Sequence, residues 1–142
     1  MELEALEEVA AEISAAGATL VGISPQREQY LRQVIKRHKL SFDVLRDKGN
    51  QLASEFGLVF TLPDDLRELY SKYGIDLERF NGDDSRRLPV PGRFIIDSNR
   101  LIHYASADPD YTVRPDPRET VAVLQTLRER NAARVARETP RL

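Results

Sequence analysis

The pattern of residues 19–45 limits the folds open to this chain more than any other feature. A short apolar run rich in β-branched residues, 19–23, predicts a buried strand. Ser24-Pro25 follows directly, and because Ser is a good N-cap and Pro suits the first helical position, a helix is predicted to begin there. A second strand is predicted over 42–45. Strand, helix and strand over this length form a βαβ unit, which requires parallel strands and a right-handed crossover.

The segments on either side of this unit extend the alternation of helix and strand. An N-terminal helix ending at Gly17 is predicted from apolar residues at helical spacing. The other predicted elements are a short helix over 50–56, a longer helix after Pro63, an ordered loop over 75–91, an antiparallel hairpin of strands 94–97 and 101–104, and a closing helix from Asp116 to about Val135. The fold class is therefore α/β, with a mixed sheet flanked by helices.

Composition predicts one domain and excludes several classes of partner. The length of 142 residues suits a single domain, expected over 1–136 and followed by a frayed tail over 137–142. No apolar run approaches the ~18 residues of a membrane span, and the first residues are acidic rather than basic, so a cytoplasmic protein is expected. A formal net charge of −2 argues against nucleic acid as a partner.

The absence of cysteine restricts the chemistry of these residues. With a cysteine count of 0, the sequence offers no disulfide, no thiolate metal ligand and no thiol nucleophile. It also contains neither a Gly-x-Ser-x-Gly elbow nor a Gly-rich phosphate loop, and we expect no cofactor.

Two acidic pairs could in principle bind a cation. Asp64-Asp65 lies at a predicted helix start, where carboxylates complement the positive end of the macrodipole. Asp83-Asp84 lacks the number of ligands of a calcium loop and is interpreted as turn chemistry. Neither pair predicts a metal site.

The histidines and one basic pair are also interpreted as structural. His38 lies near a helix C-terminus, where an imidazolium is favourable, and His103 shares a strand face with apolar residues, which favours packing. The two histidines lack a metal-binding spacing. Arg86-Arg87 is a local basic spot with little capacity for phosphate.

Several motifs together resemble a known family. They are FDVLRDKGN at 42–50, FGLVF at 56–60, YGIDL at 73–77, NGD at 81–83, LPVP at 88–91 leading into FIID at 94–97, and DPDY at 108–111 followed by Arg114. The pattern is similar to the peroxiredoxin-like branch of the alkyl hydroperoxide reductase/thiol-specific antioxidant (AhpC/TSA) family, from residue 1 to about 127. This resemblance implies a thioredoxin fold.

The resemblance also implies a thiol chemistry that these residues lack. Such proteins are thiol-dependent peroxidases or disulfide oxidoreductases, which act on a peroxide or disulfide with a thiol reductant. In the family, Cys-Pro-x-Cys opens the helix that begins here at Met1, after a central strand. One hypothesis is that the sequence is truncated and inactive by itself. The alternative is a cysteine-free binding or scaffold module, and the coding sequence upstream of Met1 distinguishes the two.

Three residues are expected beside the place of the family's reactive thiol: Val90, Pro91 and Arg93. Pro91 falls where the fold carries a cis-proline, so a cis Val90-Pro91 bond is expected, with a trans bond before a strand as the alternative. Relatives tend to carry small residues or Thr around position 93. Arg93 could lower a thiol pKa, hold an anionic substrate, or simply be a solvated charge at a strand end.

The implied fold predicts association. Its missing strand would lie between the strands at 19–23 and 94–97, which leaves unpaired backbone groups on both. We therefore expect a homo-oligomer that fills the gap, or direct pairing of the two half-sheets.

Overall fold

Helices and strands alternate along residues 2–138, which are the residues that the computed structural model describes. The helices are α1 (Glu2–Ala15), α2 (Glu28–His38), α3 (Gln51–Glu55, preceded by a 3₁₀ turn at Lys48–Asn50), α4 (Asp64–Lys72), α5 (Leu77–Asn81) and α6 (Pro117–Glu138). The strands are β1 (Val21–Ser24), β2 (Asp43–Arg46), β3 (Val59–Thr61), β4 (Arg87–Pro89), β5 (Gly92–Ile96) and β6 (Ile102–Ala107). The predicted α/β class is confirmed.

The chain divides into two compact units. Unit 1 contains the residues up to Leu20, residues 93–106, and those from Arg114 onward. Unit 2 contains residues 21–92 and 107–113.

The core of unit 1 is formed by apolar side chains of α1, β5 and α6. The buried members are Val9, Ile13, Ile95, Val121 and Leu124. Strand β5 pairs with β6, and residues 97–101 connect them. A connection this short joins only antiparallel strands, so the predicted hairpin is confirmed, with strand bounds shifted by a few residues. Asp116 caps α6 as expected, since its Oδ1 accepts a hydrogen bond from Arg118 N at 2.8 Å.

Unit 2 contains one parallel and one antiparallel pair of strands. β1 and β2 are parallel, with Val21 opposite Asp43 and Ile23 opposite Leu45, as the βαβ pattern predicts. β3 and β4 are antiparallel, with Phe60 opposite Leu88. Each strand of the described residues therefore has a single neighbour, in three two-stranded sheets.

Helix α2 begins later than predicted. Ser24 does not cap it, because Ser24 is the last residue of β1 and pairs with Arg46 of β2. The Ser24 hydroxyl instead accepts from Gln26 N at 3.3 Å, and the N-cap position belongs to Arg27. Tertiary pairing of β1 thus overrides the local Ser-Pro signal.

The loop expected over 75–91 is wrong in part, because it contains α5 and β4. Asp76 starts α5, where its Oδ1 accepts from Arg79 N at 3.0 Å. β4 is stabilised by β3, a strand of three residues that local periodicity did not reveal.

Helix α6 extends to Glu138, so the expected tail includes two helical residues and otherwise lies outside the described residues. Among residues 2–138, no helix is long and apolar enough to span a bilayer.

Candidate functional site

The three residues singled out from the sequence fall in different units. Val90 and Pro91 belong to unit 2, where Val90 N donates to Leu58 O at 2.6 Å, and Arg93 belongs to unit 1. No peptide bond of the described residues is cis, so the expectation of a cis Val90-Pro91 bond is wrong. The trans form of an X-Pro bond is intrinsically favoured by about 0.5–1 kcal/mol, and Pro91 lies in the two-residue link from β4 to β5 rather than in a tight turn.

Arg93 is enclosed rather than solvated. Its side chain keeps only 9% of its surface exposed. One guanidinium nitrogen, Nη2, donates to Glu2 Oε1 at 3.0 Å, and the other, Nη1, donates to Thr120 Oγ1 at 3.1 Å. The interpretation of Arg93 as a solvated charge at a strand end is therefore wrong, because a buried guanidinium needs partners such as these.

Glu2 connects Arg93 to a second arginine. Its Oε1 accepts from Arg93, and its Oε2 accepts from Arg114 Nε. We call Glu2, Arg93, Arg114 and Thr120 the arginine cluster. Both carboxylate oxygens are used, whereas Arg93 Nε is buried without a hydrogen-bond partner. The three ionised groups carry two positive charges and one negative charge.

All three segments of unit 1 supply this cluster. Glu2 is the first residue of α1, where a carboxylate is favoured by the helix dipole. Arg93 lies in β5, Thr120 lies in α6, and Arg114 precedes that helix. Sequence reasoning found Arg93 but missed Glu2 and Thr120. Glu2 lies 91 positions from Arg93 and 112 from Arg114, so no local spacing could reveal the pairing.

His103 forms a hydrogen bond with Asp97 instead of packing in the core. Its Nε2 lies 2.8 Å from Asp97 Oδ2, and about a third of its side chain is exposed. The hydrogen bond with His103 holds the pKa of Asp97 below its usual value, and the backbone N–H groups of Leu101 and Asn99 contribute in the same direction. The Asp97–His103 pair therefore fixes the hairpin turn, and the packing interpretation of His103 is corrected.

The acidic and basic pairs have structural partners in unit 2. Asp64 lies in the first turn of α4 as predicted and forms an ion pair with Arg86. Arg87 Nη2 donates to Ser54 Oγ at 2.7 Å, so both arginines of the basic pair are engaged by side chains of unit 2.

The remaining candidates are also found in structural surroundings. Asp83 accepts hydrogen bonds from Ser85 N at 3.0 Å and Ser85 Oγ at 2.5 Å, which confirms its turn role. His38 is the last residue of α2, at the C-terminal position expected. Among residues 2–138, no group of three His, Asp or Glu side chains is placed to hold a metal ion.

Asp47 is a buried polar residue that sequence reasoning did not single out. Its side chain caps the start of α3, because Oδ1 accepts from Leu52 N at 3.0 Å and Oδ2 accepts from Ala53 N at 2.9 Å. Asn50, which is almost fully buried, donates from Nδ2 to Arg87 O at 2.9 Å. The Asn50 bond connects the turn after β2 to β4.

A second cluster of unit 2 surrounds the C-terminal end of α5. Arg46 Nη2 donates to Asn81 O at 3.1 Å, and Gly82 follows with a left-handed φ of 82°. A Cβ at Gly82 would lie 2.6 Å from Arg27 Nε. Glycine is therefore favoured at position 82 for two reasons: its φ is left-handed, and a Cβ there would approach the Arg27 side chain too closely.

Comparison with known proteins agrees with the motifs and the fold. The family model described as AhpC/TSA family matches residues 1–105, which is most of the chain. This chain belongs to the AhpC/TSA family. Among solved structures, the AhpC/TSA chain is similar to the peroxidoxin BcpB from Mycobacterium tuberculosis, with 16% identity, a TM-score of 0.66, and coverage of 89% of this chain and 68% of that chain. At this identity the likeness shows the fold, which is the peroxiredoxin thioredoxin-like fold. No curated protein sequence matched the AhpC/TSA chain.

Proposed function

We propose that this AhpC/TSA chain provides the peroxiredoxin-like scaffold of a thiol-dependent reaction without carrying the thiol. The observation that carries the proposal is a cysteine count of 0 in a chain whose family model covers residues 1–105. In thiol peroxidation, a thiolate attacks the peroxide O–O bond, becomes a sulfenic acid and releases an alcohol or water. A second thiol then condenses with the sulfenic acid to a disulfide and releases water. No side chain of these 142 residues can take the first step.

The substrate class follows from the family alone. A peroxide or disulfide is the proposed substrate and a thiol the proposed reductant, with the reactive thiol supplied from outside these residues. Val90, Pro91 and Arg93 are proposed to lie beside that thiol. Support for Arg93 comes from its buried guanidinium, since a nearby positive charge lowers a thiol pKa.

A peroxide-consumption assay tests the absence of thiol catalysis. The purified chain is mixed with hydrogen peroxide or an organic hydroperoxide, together with a thioredoxin or glutathione regenerating system. We expect consumption at the rate of the buffer blank, because no group here can form the sulfenic acid. Peroxide turnover that is proportional to protein concentration would contradict the proposal.

Introduced cysteines test whether the arginine cluster favours a thiolate. The Glu2→Cys thiol would lie at the start of α1, beside the guanidinium that the Glu2 carboxylate now contacts at 3.0 Å. The Ser14→Cys thiol, at the exposed C-terminal end of the same helix, is the matched control. Thiolate absorbance against pH should give a pKa below the usual ~8.5 for Glu2→Cys and at or above it for Ser14→Cys. Equal pKa values in the two variants would contradict a thiol-activating role for Arg93.

A cysteine-free binding module is the second candidate. It is favoured by one specific observation, namely that Arg93 already has partners in Glu2 and Thr120. The coding sequence upstream of Met1 separates the two candidates. An in-frame extension that encodes a strand followed by Cys-Pro-x-Cys would support the first function, and its absence would support this second one.

The assembly and location expected from the sequence are also proposals. Support for a homo-oligomer comes from Ile23 and Leu45, which lie opposite each other in the β1–β2 pair with about half of their surface exposed. Sizing chromatography with light scattering tests this, and a monomer at all concentrations would contradict it.

The domain organisation and the location have their own tests. A single domain over 1–136 predicts one cooperative unfolding transition. Fractionation of cells that express the full gene tests the cytoplasmic location.

A further inference from the structure

The second cluster of unit 2, at the C-terminal end of α5, contains three arginines. Arg27 Nε and Arg46 Nη2 lie 2.6 and 3.3 Å from the position that a Cβ at Gly82 would take, so these two guanidinium groups converge there. Arg79 Nε donates to the Tyr30 hydroxyl at 3.0 Å. We call Arg27, Tyr30, Arg46 and Arg79 the α5 cluster.

Contacts with the end of α5 fix where the α5 cluster lies. Arg27 N donates to Phe80 O at 2.7 Å, and Arg46 Nη2 donates to Asn81 O at 3.1 Å. The rings of Tyr30 and Phe80 meet edge to face, with their centroids 4.8 Å apart. These contacts exist without a ligand, and such preorganisation lowers the entropy cost of binding one.

The α5 cluster carries positive charge that no carboxylate compensates. Among residues 2–138, no Asp or Glu side chain forms an ion pair with Arg27, Arg46 or Arg79. Within the same unit, Arg86 does form such a pair, with Asp64. The side-chain acceptors of the cluster's guanidinium groups are instead neutral, a carbonyl and a phenol. Three positive charges therefore remain on neighbouring side chains.

Arg46 also has a donor that is not used. In the described part of the chain, its Nε is buried and has no hydrogen-bond partner. A buried donor without an acceptor is unfavourable. The bond from Arg46 Nη2 to Asn81 O explains one N–H group of this side chain as a contact with the end of α5, and it leaves Nε unexplained.

We propose that the α5 cluster binds a phosphate group, either inorganic phosphate or the phosphate of a small phosphorylated molecule. Guanidinium groups present their N–H donors in a rigid fork that matches phosphate oxygens. A phosphate group carries roughly −1.5 to −2 charges near neutral pH and several acceptor oxygens, so it matches three arginines better than a carboxylate does. The proposal does not depend on thiol chemistry, because every residue of the α5 cluster belongs to unit 2.

The place of the α5 cluster in the fold agrees with a ligand site. Arg46 is the last residue of β2 and lies opposite Ser24, the last residue of the parallel strand β1. Arg27 follows β1 and occupies the N-cap position of α2, where the positive end of the helix dipole favours an anion. In open α/β sheets, ligands bind outside the carboxyl ends of the strands.

Phosphate binding is measured by NMR on the full chain. Sodium phosphate is titrated near neutral pH, against sodium chloride at matched ionic strength, and the ring resonances of Tyr30 are followed. We expect saturable shifts with a Kd on the order of 1 mM. The resonances of Tyr111, an exposed tyrosine of the same unit, should stay unchanged.

The pKa of Tyr30 provides a second measurement. The hydrogen bond from Arg79 holds this pKa below its usual value, and the charges of Arg79 and Arg27 act in the same direction. Bound phosphate brings negative charge to these arginines and should therefore raise the pKa of Tyr30. Chloride at the same ionic strength should have a smaller effect.

Two variants of the α5 cluster and one control locate the binding. Arg46→Gln should weaken phosphate binding at least about tenfold, because it removes a charge-assisted donor. Arg79→Gln should weaken it about threefold or more, because it removes a neighbouring charge. Arg32→Gln is the matched control, since Arg32 lies on α2 in a solvent-exposed pair with Glu28, and its Kd should change by less than about twofold.

The outcomes decide both the site and its ligand. Tyr30 resonances that shift no more than those of Tyr111, or equal affinities of Arg46→Gln and Arg32→Gln, would overturn the proposal. Acetate that binds as tightly as phosphate would also overturn it. Glycerol 3-phosphate separates the two sources of phosphate: tighter binding supports a phosphorylated molecule as the ligand, and equal or weaker binding supports inorganic phosphate. If circular dichroism shows Arg46→Gln to be unfolded, Arg79→Gln decides, and an unchanged Kd in that variant contradicts the site.

Discussion

Asp47 provides the clearest test of how the fold of unit 2 is held together. The residue is 7% exposed, and its carboxylate accepts two backbone hydrogen bonds, from Leu52 N and Ala53 N at 3.0 and 2.9 Å. The substitution Asp47→Ala removes both acceptors and leaves the first N–H groups of α3 without their cap.

The expected loss of stability follows from the two bonds. A hydrogen bond to a charged group contributes about 1.5–3 kcal/mol, which gives an upper limit near 6 kcal/mol for the pair. Leu52 is exposed, however, so water can replace part of the lost interaction at its N–H group. We therefore expect Asp47→Ala to lower the free energy of unfolding by about 2–4 kcal/mol. Asp47→Asn retains one acceptor oxygen and should lose about half as much.

Urea unfolding measures this loss directly. The midpoint should fall while the slope with denaturant stays constant, because the surface exposed on unfolding is unchanged. Asp43→Ala is the control, since Asp43 is an exposed aspartate of β2 just before the cap, and it should change stability by less than about 0.5 kcal/mol. If Asp47→Ala were as stable as Asp43→Ala, the carboxylate would not be acting as the cap of α3.

Two further predictions concern a backbone position and the Asp97 carboxyl. Gly82→Ala should lower the free energy of unfolding by more than about 1 kcal/mol, because φ is 82° and the new Cβ would lie 2.6 Å from Arg27 Nε. Urea unfolding measures the loss, and an unchanged midpoint would contradict the close approach. The depressed pKa of Asp97 contributes stability above the ordinary value of 3.8, and this stability is lost as pH falls through the folded pKa. The Asp97 carboxyl should therefore titrate nearer 3.8 in His103→Ala by NMR, and an unchanged pKa would contradict the assigned cause.

Local patterns predicted the elements whose signals lie close together in sequence. The parallel pairing of β1 and β2 follows from apolar runs on either side of a helix, and the start of α6 follows from Asp116-Pro117. The start of α2 was wrong because Ser24 is needed in the β1–β2 ladder. β3 and β4 were missed because each has three residues and is stabilised by a partner distant in sequence.

The candidate site was predictable only in part, because its contacts also join residues that are distant in sequence. Arg93 was singled out because relatives tend to carry small residues or Thr around this position, but its burial depends on Glu2 and Thr120, which lie 91 and 27 positions away. The trans Val90-Pro91 bond shows the limit of the resemblance itself. A family pattern suggested a conformation for Pro91, and the described backbone does not adopt it.

The burial of Arg93 carries a cost that stability alone does not explain. A buried ion pair is a weak source of stability, because removing two charges from water costs about as much as their attraction returns. Well-packed apolar side chains could fill the same volume around Thr120 without that cost. Arg93 Nε is also buried without a hydrogen-bond partner. A positive charge kept at this cost is expected where it acts on a reacting group, which supports the proposed place of Arg93 beside a thiol.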